Sequence, residues 1–499
     1  MALVQVLTAT VIGVEGHLID VQADLSIGEP SVGFIGLPDA VLLETRDRIR
    51  AAVVNSGEHW PNQRITLGLL PATLPTPGSL GDLAMAVAVL AAAGAVPAEA
   101  LARRLLIGEL ALDGSVRPVR GVLPAVLAAR ERGLSRVVVP AANATEAALV
   151  PGVDVDPVAD LAALLRLLRG EPSAARPIPP EMERPEPGDL ADVAGQPRGR
   201  LAVEVAAAGG HHLALAGPPR SGRTMLAQRL PGLLPRLDSQ AALEVTAIHS
   251  VAGVLPAGSP LVAWPPYQAP HHSSTPAALL GAAVGGMVRP GLASQAHRGV
   301  LYLEHAEEFT RPVLDALRHP LDTGQIEIVG AGATVRFPAR FQLVLSSQPR
   351  AGHGGDRPAP RQHRRAGLHP FTGLLDRIDI QVELTAPSVA AIRADAAEGR
   401  GHAAARVAAA RAAMTARLAT TPWRVNAEVP AAALRQTWPL PATARRPLEQ
   451  AVELGALTTR GAEQVLRVAW TLADLTGAAR PGRDQVETAL GLRIPDRDV

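Results

Sequence analysis

The sequence predicts a multidomain α/β protein, and three observations carry that expectation. Strand-like apolar runs alternate with helical periodicity from Leu190 to about Leu384, the pattern of a largely parallel sheet. A proline-rich, charged stretch from Glu171 to Asp189 sustains neither a ladder nor a helix and separates that region from what precedes it. Beyond Pro387 the chain is rich in Ala, Arg and Leu at helical spacing to its end. At 499 residues the chain is also too long for a single hydrophobic core.

Taken in order, the segment from Ala2 to about Gly170 mixes alternating runs (Leu18–Ala23, Arg64–Leu69, Arg136–Pro140) with helical ones (Asp39–Asn55, Leu123–Arg132), which reads as α+β or α/β. In the central region His212–Ala216, Val300–Leu303 and Phe341–Leu345 are the expected strands. The expected organisation is therefore an N-terminal domain over 1–170, a linker over 171–189, a parallel-sheet core over 190–386 and a helical segment over 387–499. No period of repeat-protein length is visible.

Composition removes several classes of function. The chain has no cysteine, which excludes disulfides, thiol nucleophiles, iron–sulfur clusters and thiolate zinc sites and fits a reducing cytoplasm. With 48 basic and 47 acidic residues the net charge of +1 gives no long-range field toward nucleic acid, so any such binding has to be local. Every basic residue other than histidine is arginine; lysine is absent. Met1–Gly16 has no basic leader before an apolar run, and the longest uncharged apolar stretch, Leu83–Ala98, is interrupted by Gly94 and Pro97 and is shorter than the ~18–20 residues of a spanning helix. A soluble cytoplasmic protein with no membrane partner is expected.

The chemistry concentrates in the central region. The strand His212–Ala216 runs into Gly217-Pro218-Pro219-Arg220-Ser221-Gly222-Arg223-Thr224, followed by the helix-forming Met225–Leu230. Glycines at such a junction let backbone amides converge on phosphate oxygens at a helix N-terminus. In the P-loop pattern a lysine then reaches the β/γ-phosphates and a hydroxyl coordinates Mg²⁺. Gly217, Gly222 and Thr224 fit, with Arg223 in the lysine position. An ordinary glycine-rich strand-to-helix turn is the competing reading. Arginine's planar fork is not a compact ammonium, so weaker or altered nucleotide affinity is expected. A second strand, Val300–Leu303, ends in Glu304 and His305, where an acid can be aimed at Mg²⁺. His305 can accept a proton but lacks a fixed negative charge. A core strand with a charged end would look the same.

By these residues the whole chain resembles the magnesium-chelatase-like ComM (YifB) family of AAA+ ATPases. The resemblance rests also on Gly36-Leu-Pro-Asp39 with Arg46–Asn55, Gly108–Gly121, Val245–Gly253, Ala269-Pro-His-His272, Ala296–Val300, Pro338–Val344, Leu374-Leu-Asp-Arg-Ile-Asp379 and Val465–Ala469. It implies an N-terminal Lon-protease-like (S5-like) α+β domain, a P-loop AAA+ parallel-sheet core and a C-terminal helical lid. It further implies ATP and Mg²⁺ as cofactors, a homo-oligomeric ring, in that family a hexamer, and a DNA helicase activity in branch migration and recombination. Carried over by motif, Gly217 to Met225 hold ATP, Thr224 and Glu304 hold Mg²⁺, and Arg377 resembles an arginine finger acting in trans. Arg467 resembles the second sensor of the lid.

Departures from the family fall where catalysis belongs. Arg220 replaces the middle loop glycine, Arg223 the lysine, Glu304-His305 an Asp-Glu pair, and Gln348 the first-sensor asparagine. The family's cysteine cluster is replaced by the stretch from Arg350 to His369. The lack of lysine explains one of these. The implied function is therefore a ComM-like, ATP-binding, DNA-associated protein with weakened or lost hydrolysis; the alternative is a non-catalytic regulatory or scaffolding paralogue that keeps only ring-forming surfaces. Lon-like folds can carry a Ser–Lys dyad, but without lysine that dyad does not exist; Ser79 lacks a base, and no protease is expected. Arg350, Arg357, Arg361, Arg364 and Arg365 form a basic stretch able to meet a phosphate backbone or simply to be solvated. His353, His363 and His369 are too irregular for a metal site, and His271-His272 stand open between capping and proximity to DNA.

Overall fold

The computed structural model describes residues 3–35, 39–74, 78–172, 178–184, 188–284, 287–330, 333–348, 372–388 and 402–493. It is a mixed α/β structure containing a parallel-strand sheet. The N-terminal part is built on a seven-stranded mixed sheet in the order Ser31–Ile35, Arg64–Leu70, Glu15–Ser26, Val4–Ile12, Arg104–Leu106, Arg136–Pro140, Asp154–Val158. Val4–Ile12 and Glu15–Ser26 form a hairpin closed by two residues, in register Ile12 to Glu15. Gly13 opens that turn at φ +65°, the conformation such tight turns require of their first residue. The alternation read in Leu18–Ala23 is the inner face of this pair: Ile19, Val21 and Ala23 are buried, beneath helix Asp82–Ala92, nearly all of whose residues are buried too.

Between the two sheets, the described residues of 171–189 carry no strand or α-helix, and Ile178 stands 90% exposed, as a segment too rich in proline for a ladder requires. The second sheet has five strands, in the order Tyr267–Gln268, Val300–Leu303, Gln342–Ser347, Leu213–Ala216, Ile380–Glu383. Every neighbouring pair in it is parallel. All four residues of Val300–Leu303 and all six of Gln342–Ser347 are buried, as parallel strands covered on both faces must be. Two antiparallel hairpins, Gly281–Val284 with Met287–Pro290 and Gln325–Gly330 with Ala333–Pro338, lie beside the sheet.

The C-terminal part is helical: His402–Leu418, Ala431–Thr437, Ala442–Glu453, Thr459–Thr476 and Arg483–Gly491. Part of its apolar surface closes on itself, in a cluster of Met414, Leu418, Val429, Leu434, Leu466 and Trp470, and part joins the sheet layer. Val407, Val465, Val468 and Leu472 share one buried cluster with Leu213, Leu215, Leu226 and Ala206 of the sheet layer. An ion pair, Arg406 Nε to Glu204 at 2.6 Å, crosses the same junction with its arginine partly exposed. Among the described residues no helix is long and apolar enough to cross a membrane.

Candidate functional site

The strand Leu213–Ala216, between Gln342–Ser347 and the edge strand Ile380–Glu383, delivers the glycine-rich loop to the carboxyl edge of the second sheet, where parallel sheets place their ligand crevices. Position 217 admits only glycine. A Cβ there would lie 2.7 Å from the Leu384 carbonyl oxygen and 2.8 Å from Ser221 Oγ. Gly222, at φ +83°, caps the helix Arg223–Leu233, whose first bond runs from Leu226 N to the Gly222 carbonyl at 2.9 Å. The amides of Arg223, Thr224 and Met225 precede that bond and form the anion-attracting end of the helix. Pro218 and Pro219 have no N–H to offer. From behind, Gln196 Nε2 donates to the Ser221 carbonyl at 3.0 Å and to the Thr385 carbonyl at 2.6 Å, fixing the loop against the edge strand.

Two features of the loop bear on an anionic ligand. Arg223 is 7% exposed, and among the described residues neither its buried Nη1 nor the buried Ser221 hydroxyl has a hydrogen-bond partner. A buried guanidinium donor without an acceptor costs free energy that a phosphate oxygen would recover. These orphaned groups around a glycine cradle fit a triphosphate. Arg220 sits at φ +66°, a region that costs a side chain about 1–2 kcal/mol and that glycine enters freely. Arg220→Gly is accordingly expected to leave the melting temperature unchanged or to raise stability by up to about 1 kcal/mol, read by thermal unfolding.

The strand Val300–Leu303 brings the acid to the loop: Thr224 Oγ1 donates to Glu304 Oε1 at 2.6 Å. These two oxygens are the pair that would hold a divalent cation beside the loop. Tyr302, below them, bonds Ser346 Oγ at 2.9 Å, its phenol pushed up by burial. His305 turns the chain with φ +52° and donates its backbone N–H to Ser346 Oγ at 3.3 Å. Glu307, not singled out by the sequence, lies with its Oε1 3.6 Å from His305 Nδ1 and accepts the Gln348 amide at 3.0 Å. Thr224, Glu304, His305 and Gln348, far apart in sequence, thus meet at one edge of the sheet.

Arg377 and Arg467 lie elsewhere. Both line a cleft of about 1000 Å³ together with His212, Gln342 and Asp379, residues at the amino ends of the strands. At about 3.3 Å per residue the four-residue strand Leu213–Ala216 alone separates that cleft from the loop by roughly 13–17 Å. Arg377 is held by Asp322 through Nε at 2.8 Å and through Nη2, and its Nη1 donates to the Gly373 carbonyl at 2.8 Å. Arg467 donates Nε to the Val429 carbonyl at 2.8 Å and stands 4.0 Å from Asp379. Arg467, expected as a second sensor of nucleotide, is carried by the helix Thr459–Thr476 on the amino side of the sheet, in the same cleft as Arg377 and away from residues 217–225 of its own chain. Arg377 likewise lies away from the loop of its own chain.

The comparisons with known proteins bear on all three parts of the chain. Residues 189–392 match the family model "Magnesium chelatase, subunit ChlI", residues 21–143 match "Subunit ChlI of Mg-chelatase", and residues 398–493 match "Magnesium chelatase, subunit ChlI C-terminal". An uncharacterized protein of Mycobacterium tuberculosis is 49% identical over 99% of both chains. The uncharacterized protein YifB of Escherichia coli is 36% identical over 100% of this chain and 98% of its own length. The competence protein ComM of Haemophilus influenzae is 34% identical over 99% and 98%. The chain belongs to the magnesium-chelatase-like ComM/YifB family.

In this ComM/YifB-family chain the remaining sequence candidates separate cleanly. Ser79 does have an acceptor: its hydroxyl donates to Glu109 Oε2 at 2.5 Å, a contact across thirty positions that the sequence alone did not reveal. A carboxylate is a far weaker base than the amine of a Ser–Lys dyad, so the contact holds the turn rather than generating an alkoxide. Nearby, Asp82 is wholly buried, and burial pushes its carboxyl up to about 6 against the hydrogen bond from Arg48 Nε at 2.6 Å. Its folded-state value lies above the unfolded one, so the native state holds the extra proton between the ordinary carboxylate range and about 6, and stability falls as pH rises through that window. Asp82→Asn is expected to remove this slope, measured as the urea midpoint of wild type against variant at successive pH values.

The rings of His271 and His272 are tilted by 39° with centres 4.0 Å apart, and His272 Nε2 is 3.4 Å from Glu308. The basic stretch Arg350–Arg365 with His353, His363 and His369 lies outside the described residues. Among the described residues no group of three or more His, Asp or Glu side chains is placed to hold a metal ion.

Proposed function

We propose that this ComM/YifB-family chain binds ATP with Mg²⁺ at Gly217–Met225, with Thr224 and Glu304 holding the metal, as an AAA+ protein that assembles into a homo-oligomeric ring and associates with DNA. In this reading residues 1–170 are a Lon-like scaffold domain, 190–386 the AAA+ core and 387–499 its helical lid, joined through 171–189. Arg377 serves a neighbour's site, where a guanidinium stabilises charge on the transferring phosphoryl group. The observation that carries the proposal is the 2.6 Å contact of Thr224 with Glu304 beside an orphaned, buried Arg223. Bound Mg·ATP would supply a polarised γ-phosphoryl group; the chain's part is to orient it by the loop amides, pair it with Arg223 and keep the metal between Thr224 and Glu304.

Hydrolysis is expected to be slow. Glu304 is a methylene longer than aspartate, His305 lacks a fixed charge of its own, and Arg220 occupies a backbone region that favours glycine. A scaffolding reading without turnover draws on the same substitutions. Calorimetric titration with Mg·ATP tests binding. ATPase rates with and without branched DNA, compared with an Arg223→Lys, Glu304→Asp, His305→Glu variant, test whether turnover is native or has to be restored. Glu304→Ala should reduce ATP affinity in Mg²⁺ to the value found in EDTA; equal affinities for wild type in the two buffers would remove Glu304 from the metal.

A further inference from the structure

We infer that Glu307 supplies the fixed negative charge that His305 lacks, so that the two side chains together replace a single catalytic carboxylate, His305 as general base and Glu307 as its positioning residue. The inference rests on the ATP-binding reading of this site and goes further, assigning a role to a residue that neither motif nor resemblance pointed to.

The geometry is specific. Among the described residues neither His305 Nδ1 nor Glu307 Oε2, both buried, has a hydrogen-bond partner. The two side chains nevertheless face one another, with Nδ1 3.6 Å from Glu307 Oε1, an ion-pair distance that a shift of about half an ångström turns into a hydrogen bond. Contacts of this kind tighten when substrate binds. Glu307 is itself anchored: Oε1 accepts the backbone amide of Gln348 at 3.0 Å, at the end of the strand Gln342–Ser347, and its side chain is 12% exposed. His305 is anchored by its own amide on Ser346 Oγ and follows directly on Glu304, the acid on Thr224. A carboxylate at Nδ1 fixes the tautomer with its proton on that nitrogen and leaves Nε2 as the acceptor, the same division of labour that orients a catalytic histidine in hydrolases.

In the hydrolytic step His305 Nε2 takes a proton from a water whose oxygen bonds to the γ-phosphorus; the bond from that phosphorus to the bridging oxygen breaks, and its electron pair leaves with ADP. The imidazolium, held beside Glu307, then returns its proton to solvent.

The test uses the full chain with His305→Ala, Glu307→Gln and the double variant. Glutamine is chosen at position 307 because its amide oxygen still accepts the Gln348 N–H while the charge is lost, which preserves the fold. Calorimetry with Mg·ADP should give affinities within about threefold of wild type, whereas Mg·ADP with aluminium fluoride, which stands in for the transferring phosphoryl group, should bind at least tenfold more weakly to each single variant, and the double variant should be no worse than His305→Ala. Turnover should fall by on the order of a hundredfold in His305→Ala. Added imidazole should restore part of it, and less when Glu307 is also changed. In a His305→Glu background, Glu307→Gln should have no further effect on turnover. Wild type without turnover, unchanged aluminium-fluoride affinity in both single variants, or imidazole rescue indifferent to Glu307 would each overturn the inference. Failure of wild type to bind Mg·ADP or Mg·ATP at all would instead sink the ATP-binding reading.

Discussion

Arg223→Ala is expected to raise the dissociation constant for Mg·ATP at least a hundredfold, a loss of about 3 kcal/mol in binding free energy. The side chain leaves solvent at the first turn of the helix Arg223–Leu233 and ends in a buried nitrogen with no acceptor. Removing it takes away the guanidinium that the phosphates would meet at the helix N-terminus, and charge-assisted bonds of this type are roughly twice as strong as neutral ones. The unliganded protein should lose little stability, because the alanine variant also sheds an unpaired buried donor. Arg223→Lys makes the complementary prediction: a compact ammonium fits between two phosphates where a planar fork does not, so affinity should be retained or improved. Both are read by calorimetry and by the rise of the melting temperature with saturating Mg·ATP, which follows ligand concentration over its dissociation constant. An alanine variant that binds as tightly as wild type would show that the loop amides alone, or a different site, take the nucleotide.

Much of this site is legible in the sequence, for a local reason. A strand, a glycine-rich turn, a hydroxyl and a helix follow one another without interruption in 213–233, and local steric rules dictate their arrangement. Strand edges read from apolar runs are also close: Arg136–Pro140 and Val300–Leu303 have the bounds the pattern suggests, and Phe341–Leu345 shifts only to Gln342–Ser347. What escapes depends on chain crossing. That strand 342–347 inserts between 300–303 and 213–216 is a property of the parallel order, and only that order brings Gln348 to Glu307 and Ser346 to His305. Gln196, which braces the loop from twenty-five positions upstream, belongs to no pattern at all. Glu307 is visible as a second acid close behind His305, but an acid after a strand is usually a solvated one, and its burial is the missing signal.

Arg467 shows what a motif carried over in sequence leaves open in space. Helical periodicity places it on an amphipathic helix, and periodicity cannot say on which edge of the sheet that helix packs. The packing is decided by Val465, Val468 and Leu472, which join the core cluster through the same face that turns Arg467 toward Val429 and Asp379. Arg467 thus shares the amino-side cleft with Arg377, away from residues 217–225 of its own chain.

The same helix carries the larger effect on stability: Asp474→Ala should cost about 3–5 kcal/mol, the usual result of removing one partner from a buried ion pair. Arg417 grips Asp474 with both terminal nitrogens, Nη2 at 2.7 Å, and lies 4.6 Å over the Trp470 ring. Asn426 Nδ2 reaches Asp474 Oδ2 at 2.9 Å and Thr471 Oγ1 at 3.0 Å; Thr471 in turn meets His211 Nε2 at 2.7 Å, and His211 Nδ1 meets Asp379 at 3.2 Å. This chain of contacts runs from the helical segment to the residue just before His212 and the strand that feeds the loop, and to a residue two positions after Arg377. Alanine at 474 leaves the guanidinium of Arg417 with only Asn426 as a polar partner in an apolar setting, and the penalty is that of an uncompensated charge. The readout is urea unfolding followed by tryptophan fluorescence, since Trp470 lies directly beneath the pair. Replacing both partners, Arg417→Met with Asp474→Leu, should recover most of the loss, because a well-packed apolar pair avoids the desolvation that the ions suffer. A double variant as unstable as Asp474→Ala would mean that the network holds the helices in register through its hydrogen bonds to Asn426 rather than by balancing charge.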